Sequence, residues 1–117
     1  MYFKAQNKLV YVNSDGNAIY EFDFSTKIWS KVGSSKSPVS LYNAASTWDS
    51  KRNRWVFFNQ TELVSYDPAT RVFSSLPAVG GKPASRGEAG ITYMSKYDAY
   101  MIAVSYTHLT LPTILRV

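Results

Sequence analysis

Apolar and polar residues alternate along this chain in short bursts, separated by clusters of Gly, Asn, Asp, Ser and Pro. A period of two over four to eight residues, bounded by such turn formers, predicts half-buried β-strands. Leu9 to Val12 is the first such run. Ser14-Asp15-Gly16-Asn17 follows as a tight hairpin turn, because both central positions of the Asp-Gly pair accept positive φ. Ala18 to Phe24 predicts the next strand, Ser25-Thr26-Lys27 a turn, and Ile28 to Val32 the returning strand. Gly33 through Ser40 is polar with one Pro and predicts a passage to a second unit. There, Tyr42 to Trp48 predicts an inner strand, with small Ala44 and Ala45 suited to a crowded position. Asp49 to Asn53 turns, Arg54 to Phe58 is a strand, and Asn59-Gln60-Thr61 turns into a strand from Glu62 to Tyr66. In Asp67-Pro68-Ala69-Thr70 the Asp side chain can accept backbone amides and Pro68 pre-sets φ, so this predicts the turn into Val72 to Leu76. After a Gly- and Pro-rich passage from Pro77 to Gly87, Gly90 to Ile102 predicts another strand pair. No segment longer than ten residues holds a helical apolar period, so the reading is all-β.

The pattern repeats. Tyr20 to Trp29 is echoed by Val64 to Phe73 at a spacing of 44, matching Phe22 with Tyr66, Asp23 with Asp67, Thr26 with Thr70 and Trp29 with Phe73. Gly90 to Ile102 repeats Ala45 to Phe57 at an offset of 45, matching Trp48 with Tyr93. Short strands repeating at this length predict a partial β-propeller of about two to two and a half four-stranded blades. The residues Phe22, Asp23, Thr26, Trp29, Tyr66, Asp67, Pro68, Thr70 and Phe73 are its structural repeat positions. Propellers close with four to eight blades, so 117 residues would leave an unpaired blade face at each end.

Composition narrows the chemistry. Apolar residues make up 45% of the chain and aromatics 15%, enough for a core. The chain has no cysteine, which excludes disulfides and thiolate chemistry. No apolar run reaches the length of a membrane span, and the first residues lack a signal-peptide pattern. The net charge of +5 is scattered, and its only cluster, Lys51-Arg52-Asn53-Arg54, reads as a solvated hairpin turn. Neither a basic stripe nor a recognition motif supports nucleic-acid binding.

Ala45 through Phe58, followed by Tyr66-Asp67-Pro68-Ala69-Thr70 and Phe73, resembles a kelch repeat of the kind found in galactose-oxidase-like propellers. Phe22-Asp23 with Thr26 and Trp29 resembles its second half, and Arg86 through Ile102 the opening of another unit. The Gly-Gly doublet common in that family after the second strand is replaced here by Asn59-Gln60 and, earlier, by Asn13-Ser14, which leaves a different propeller family with diverged repeats open. Gly80-Gly81 lies in the inter-blade passage and does not substitute. The segment Val104 to Thr113 resembles a translated transposase sequencing adapter. That resemblance implies a native propeller portion over 1–103 and a non-native tail over 104–117, the alternative being a real strand over Ser105 to Leu111.

Candidate chemistry is sparse. The only histidine, His108, lies in that tail, so residues 1–103 can build neither a Ser-His-Asp triad nor a histidine metal site. The copper-oxidase branch of the resembled family needs histidine and cysteine groups that cannot be carried over, so no cofactor is expected. Asp15, Asp49, Asp67 and Asp98 fall in predicted turns, where capping backbone amides is the ordinary role. A glycosidase needs two carboxylates facing each other at about 5 to 9 Å. Glu88 beside Arg86 is the one pair in a passage that could line a binding face. Tyr42 and Trp48 are the aromatics to inspect as a ligand surface, since the others recur at strand positions suited to packing. These four are candidate binding residues, and none is assigned as catalytic. The expectation is a fragment of a propeller that binds protein or glycan through its loops. The alternatives are a carbohydrate-active propeller enzyme with its catalytic residues elsewhere, and an extracellular structural module. Compartment is not readable from these residues.

Overall fold

The structure, a computed structural model, describes residues 1–33, 35–59, 62–77, 89–104 and 113–116. Its strands are β1 (Tyr2–Phe3), β2 (Lys8–Val12), β3 (Ile19–Asp23), β4 (Ile28–Val32), β5 (Ala45–Asp49), β6 (Arg54–Asn59), β7 (Glu62–Asp67), β8 (Val72–Leu76), β9 (Ala89–Met94), β10 (Ala99–Val104) and β11 (Thr113–Arg116). A single 3-10 turn, Lys4–Gln6, joins β1 to β2, and the described residues contain no α-helix. The protein is all-β. The strands form three antiparallel sheets in chain order: β1 to β4, β5 to β8, and β9 to β11.

Each sheet carries an aromatic-rich row running across its strands. In the second sheet, Trp48 pairs with Trp55, Trp55 with Tyr66, and Tyr66 with Phe73. The first sheet has Tyr2, Leu9, Phe22 and Trp29 in the same register. The third has Tyr93 opposite Tyr100. Because strand side chains alternate faces, this row lies on one face and the intervening residues on the other. The first sheet turns Phe3, Val10 and Ile19 into one core with Trp55, Phe57, Val64, Tyr66 and Phe73 of the second. The second turns Val56, Phe58 and Leu63 into another core with Ile91, Tyr100 and Ile102 of the third. Val10 and Val56 occupy corresponding positions, as do Ile19 and Leu63. The sheets therefore stack head to tail, each presenting its aromatic row to the sheet before it. Edge-to-face and tilted ring pairs such as Tyr66–Phe73, 4.9 Å between centroids, add about 0.5–1.5 kcal/mol each beyond the area they bury.

Turn chemistry repeats with the rows. The first hairpin of each sheet closes on a residue of left-handed conformation: Asn7 (φ 47°), Asn53 (φ 52°) and Asp98 (φ 49°). Asn and Asp tolerate that region better than other non-glycine residues. The outer hairpins close on Lys27 (φ 60°) and Arg71 (φ 61°), whose amides donate to Asp23 O and Asp67 O, both at 2.7 Å. Asp23 Oδ1 accepts the amides of Ser25 and Thr26, and Asp67 Oδ1 that of Ala69, so the repeated Asp holds its turn together.

Three sequence expectations need correction. The inner strand of the second unit runs over Ala45–Asp49 rather than from Tyr42, because Leu41 to Ala44 forms a turn: Ala44 N donates to Leu41 O and Asn43 takes φ 55°. The Asp15-Gly16 hairpin is not a two-residue turn. Only Gly16 has positive φ (72°), and the loop is organised by Asn13, whose Oδ1 accepts the amides of Asn17 and Ala18. Gly16 is required for a second reason: a Cβ there would stand 2.5 Å from Ser37 Cβ. The first sheet also has four strands, since Tyr2–Phe3, too short to show a period, pairs with β2. In the third sheet β11, drawn from the segment 104–117, pairs with β10. Ser105 to Leu111 and His108 lie outside the described residues.

The connection over residues 35–44 is tied down at four points. Ser37 N donates to Gly16 O, Leu41 N to Ser14 O, and Phe73 N to Ser35 Oγ, while the Asn59 side-chain amide donates to Ser40 O.

Candidate functional site

Polar side chains converge at two junctions between sheets. At the second-to-third junction Asp49 is fully buried (0% exposed) at the end of β5. Its Oδ1 accepts the amides of Lys51 and Arg52, both at 3.1 Å, and its Oδ2 accepts Arg52 Nη1 at 3.1 Å and the Tyr100 hydroxyl. Arg54 Nη2 donates to that same hydroxyl oxygen at 3.0 Å. Arg52 then reaches across to the third sheet and grips Asp98 bidentately, Nη1 to Oδ1 at 2.7 Å and Nη2 to Oδ2 at 2.8 Å. Lys51 and the Tyr93 hydroxyl complete the shell around Asp98.

The electrostatics follow. Hydrogen bonds from Arg52, Lys51 and Tyr93 hold the Asp98 carboxyl well below the usual carboxylate range. Burial pushes Asp49 upward, but the bonds from Tyr100 and Arg52 outweigh it and leave its pKa lowered. Burial and the Asp49 hydrogen bond push Tyr100 up to about 12. Every carboxylate oxygen in the cluster accepts hydrogen bonds from groups of the second or third sheet. The arrangement is a clasp between sheets.

A second clasp joins the first and second sheets. Lys8 Nζ donates to Glu21 Oε2 at 2.9 Å and to Pro68 O at 2.7 Å. Arg71 meets both oxygens of Glu21 at 2.9 Å. Burial would raise the Glu21 pKa, yet the bonds from Arg71 and Lys8 lower it. Among the described residues, Tyr66 OH and Trp55 Nε1 are buried beside this junction with no hydrogen-bond partner.

The remaining candidate is the aromatic row of the first sheet, which no other sheet covers among the described residues. Tyr2 is 49% exposed and Trp29 47%, where their counterparts Trp48 and Phe73 are half-buried and buried. Tyr11, Asn13, Tyr20 and Trp29 line a hollow of about 430 Å³ on this face. A second, of about 410 Å³, opens nearby beside Lys8, Phe22 and Phe24.

The residues proposed from sequence separate. Tyr42 lies on the exposed connection between the first two sheets, 64% exposed. Trp48 is half-buried and packs on Phe3, 5.1 Å between centroids, so inter-sheet packing accounts for it. Arg86 and Glu88 lie outside the described residues. Among the repeat positions, Phe22 pairs with Trp29 and Tyr66 with Phe73, as their spacing implies. Thr26 donates its amide to Asp23, Pro68 is buried, and Thr70 is exposed in the outer turn. The basic cluster is not the solvated turn it resembled: Arg52 and Arg54 are half-buried, and both face Asp49. The missed signal was spacing. Arg52 and Asp98 are 46 residues apart, within one residue of the 45-residue offset, which puts opposite charges in equivalent turns of adjacent sheets.

No group of three or more His, Cys, Asp or Glu among the described residues could hold a metal ion. No helix among them is long and apolar enough to cross a membrane. A scan against protein-family models found no match, and neither did a search of curated proteins.

Proposed function

We propose that the three sheets are consecutive blades of a β-propeller built from kelch-like repeats, and that the complete propeller is a binding module for protein or glycan. The observation that carries this reading is the head-to-tail order of the faces. Val10 and Val56, one repeat apart, each point into the aromatic row of the next sheet. A stack with a constant sense of rotation is the geometry that closes into a propeller. The saturated clasps support a shape-holding role for the charged residues of this portion, with no catalysis assigned to them. Specificity then falls to the connecting loops, where Tyr42 stands exposed beside Ser40 and Asn43. An oligosaccharide panel titrated into isotope-labelled protein tests it. We expect amide shifts at Tyr42 and Asn43 with Asp98 unmoved, and a weakening of about tenfold in Tyr42→Ala, equivalent to about 1.4 kcal/mol. Turnover of any glycan that is lost in Asp49→Asn would overturn the reading.

A further inference from the structure

The clasps engage their charged side chains with one another, whereas the loops that join the first sheet to the second leave theirs open. There the β2–β3 loop and the connection over residues 35–44 face each other along two stretches. Ser37 N donates to Gly16 O at 2.7 Å and Leu41 N to Ser14 O at 2.9 Å, with Asp15 between the two bonds. Each stretch is braced on its own side. Asn13 Oδ1 accepts the amides of Asn17 and Ala18, and Gly16 N donates to Asn13 O at 2.9 Å. Ser37 Oγ donates to Val39 O at 2.6 Å, and Leu41 is buried in the core shared by the first two sheets. The side chains of Asp15, Lys36, Tyr42 and Asn43 stand exposed on this frame. Among the described residues they make no hydrogen bond or ion pair.

A braced loop loses little freedom when a ligand settles on it, so its free side chains bind at a reduced entropic cost. A tyrosine adds a large amphipathic contact area while fixing only two torsions. Charge then narrows the ligand. Asp15 adjoins Gly16 and Lys36 adjoins Ser37, the two residues joined by a backbone bond, so one negative and one positive group share the surface. An anionic ligand would meet the Asp15 carboxylate and a cationic one the Lys36 ammonium. A ligand without charge that both donates and accepts hydrogen bonds suits both groups. The carboxylate accepts only, the ammonium donates only, and the Asn43 amide does both.

We propose that Asp15, Tyr42 and Asn43 form a recognition site for an uncharged saccharide. The Tyr42 ring takes the C–H face of a pyranose, Asp15 accepts from two adjacent hydroxyls, and Asn43 reads a third. Tyr42 and Asp15 adjoin the two partners of one bond, Leu41 N to Ser14 O, which fixes their relative placement. This assignment names the ligand class for the loop binding proposed above and rests on that reading.

Titrating isotope-labelled protein with neutral hexasaccharides of glucose, mannose and galactose, with a galacturonate hexamer, and with tetramethylammonium chloride tests it. At least one neutral glycan should shift the amides of Asp15, Gly16 and Asn43. Its affinity should change less than about twofold from about 50 to about 500 mM salt, because no net charge is involved. Asp15→Ala should weaken it at least about tenfold and Asp15→Asn less, since an amide oxygen still accepts but without the charge. Asp15 is exposed and unpaired, so the urea midpoint of both variants should stay at the parent value. Binding confined to the galacturonate or to the ammonium salt overturns the uncharged class. A neutral glycan lost in Tyr42→Ala but unaffected by Asp15→Ala overturns this site and leaves binding through the loops standing. Absence of any amide shift with all three neutral glycans overturns the proposal, and absence with every probe removes the glycan reading beneath it as well.

Discussion

The first and second sheets carry nearly the same aromatic row in two different surroundings. Trp48, Trp55, Tyr66 and Phe73 are sealed by Phe3, Val10 and Ile19, and Tyr66 is 0% exposed. Tyr2, Leu9, Phe22 and Trp29 have the same strand pairing, and Phe22 and Trp29, 5.2 Å apart, match Tyr66 and Phe73, but among the described residues their outer face is open. A strand pattern therefore records which residues share a face, and the neighbouring sheet decides whether that face becomes core. Apolar residues on a covered face contribute nearly their full transfer free energy, while on the open face Tyr2 and Trp29 keep nearly half of their contact with water.

The largest difference should come from truncating matched positions. Phe73→Ala is expected to cost about 3–4 kcal/mol in urea unfolding, the usual loss for a buried aromatic. Trp29→Ala in the dilute chain should cost less than about 1 kcal/mol, because its site is already half in water. Equal losses would mean the two rows are equally covered and would erase the contrast.

Acid sharpens the comparison at the junctions. Asp98 has a folded pKa below its unfolded value, so its contribution is fully present above about pH 4 and fades as the pH falls through and below that value. Asp49 and Glu21 shift in the same direction. Near-ultraviolet circular dichroism should show tertiary packing lost on acidification below that point. Asp98→Asn should flatten part of this acid limb, whereas Asn7, the matching group on the open side, does not titrate. An acid limb unchanged in Asp98→Asn would remove this carboxylate from the account.

The smallest expected effect is a gain. The Tyr66 hydroxyl is buried without a partner, and burial beside the Glu21 charge pushes its pKa up to about 12. Removing an unsatisfied buried group in Tyr66→Phe should raise stability by up to about 1 kcal/mol, read as a higher urea midpoint. A lower midpoint would show that the hydroxyl has a partner.

Strand order and most strand limits were legible because apolar alternation and turn residues agree. Ile28–Val32 and Val72–Leu76 are found where the pattern puts them. The two-residue Tyr2–Phe3 strand was not, because two residues carry no period, and it is held by pairing with β2 and by burial of Phe3. Asp49 and Asp98 read as turn caps, and Asp49 does cap its turn through Oδ1. Their inter-sheet role depends on Arg52 folding back across a distance in sequence that no local window spans. Trp29 read as packing because aromatics recur at its strand position, with Phe73 one repeat on, yet nothing in a single repeat says that a neighbour is present on that side.

The connection over residues 33–44 bears on how chains can exchange parts. Domain swapping needs a hinge that straightens cheaply, so that one element leaves its own body and docks on a twin. Here the hinge would have to release Ser37 from Gly16, Leu41 from Ser14 and Phe73 from Ser35 before the first sheet could depart. Gly16, pressed against Ser37, makes that seam tighter still. Exchange of the first sheet between copies therefore carries the added cost of those three bonds, each about 1 kcal/mol, on top of the strand pairings it would leave intact.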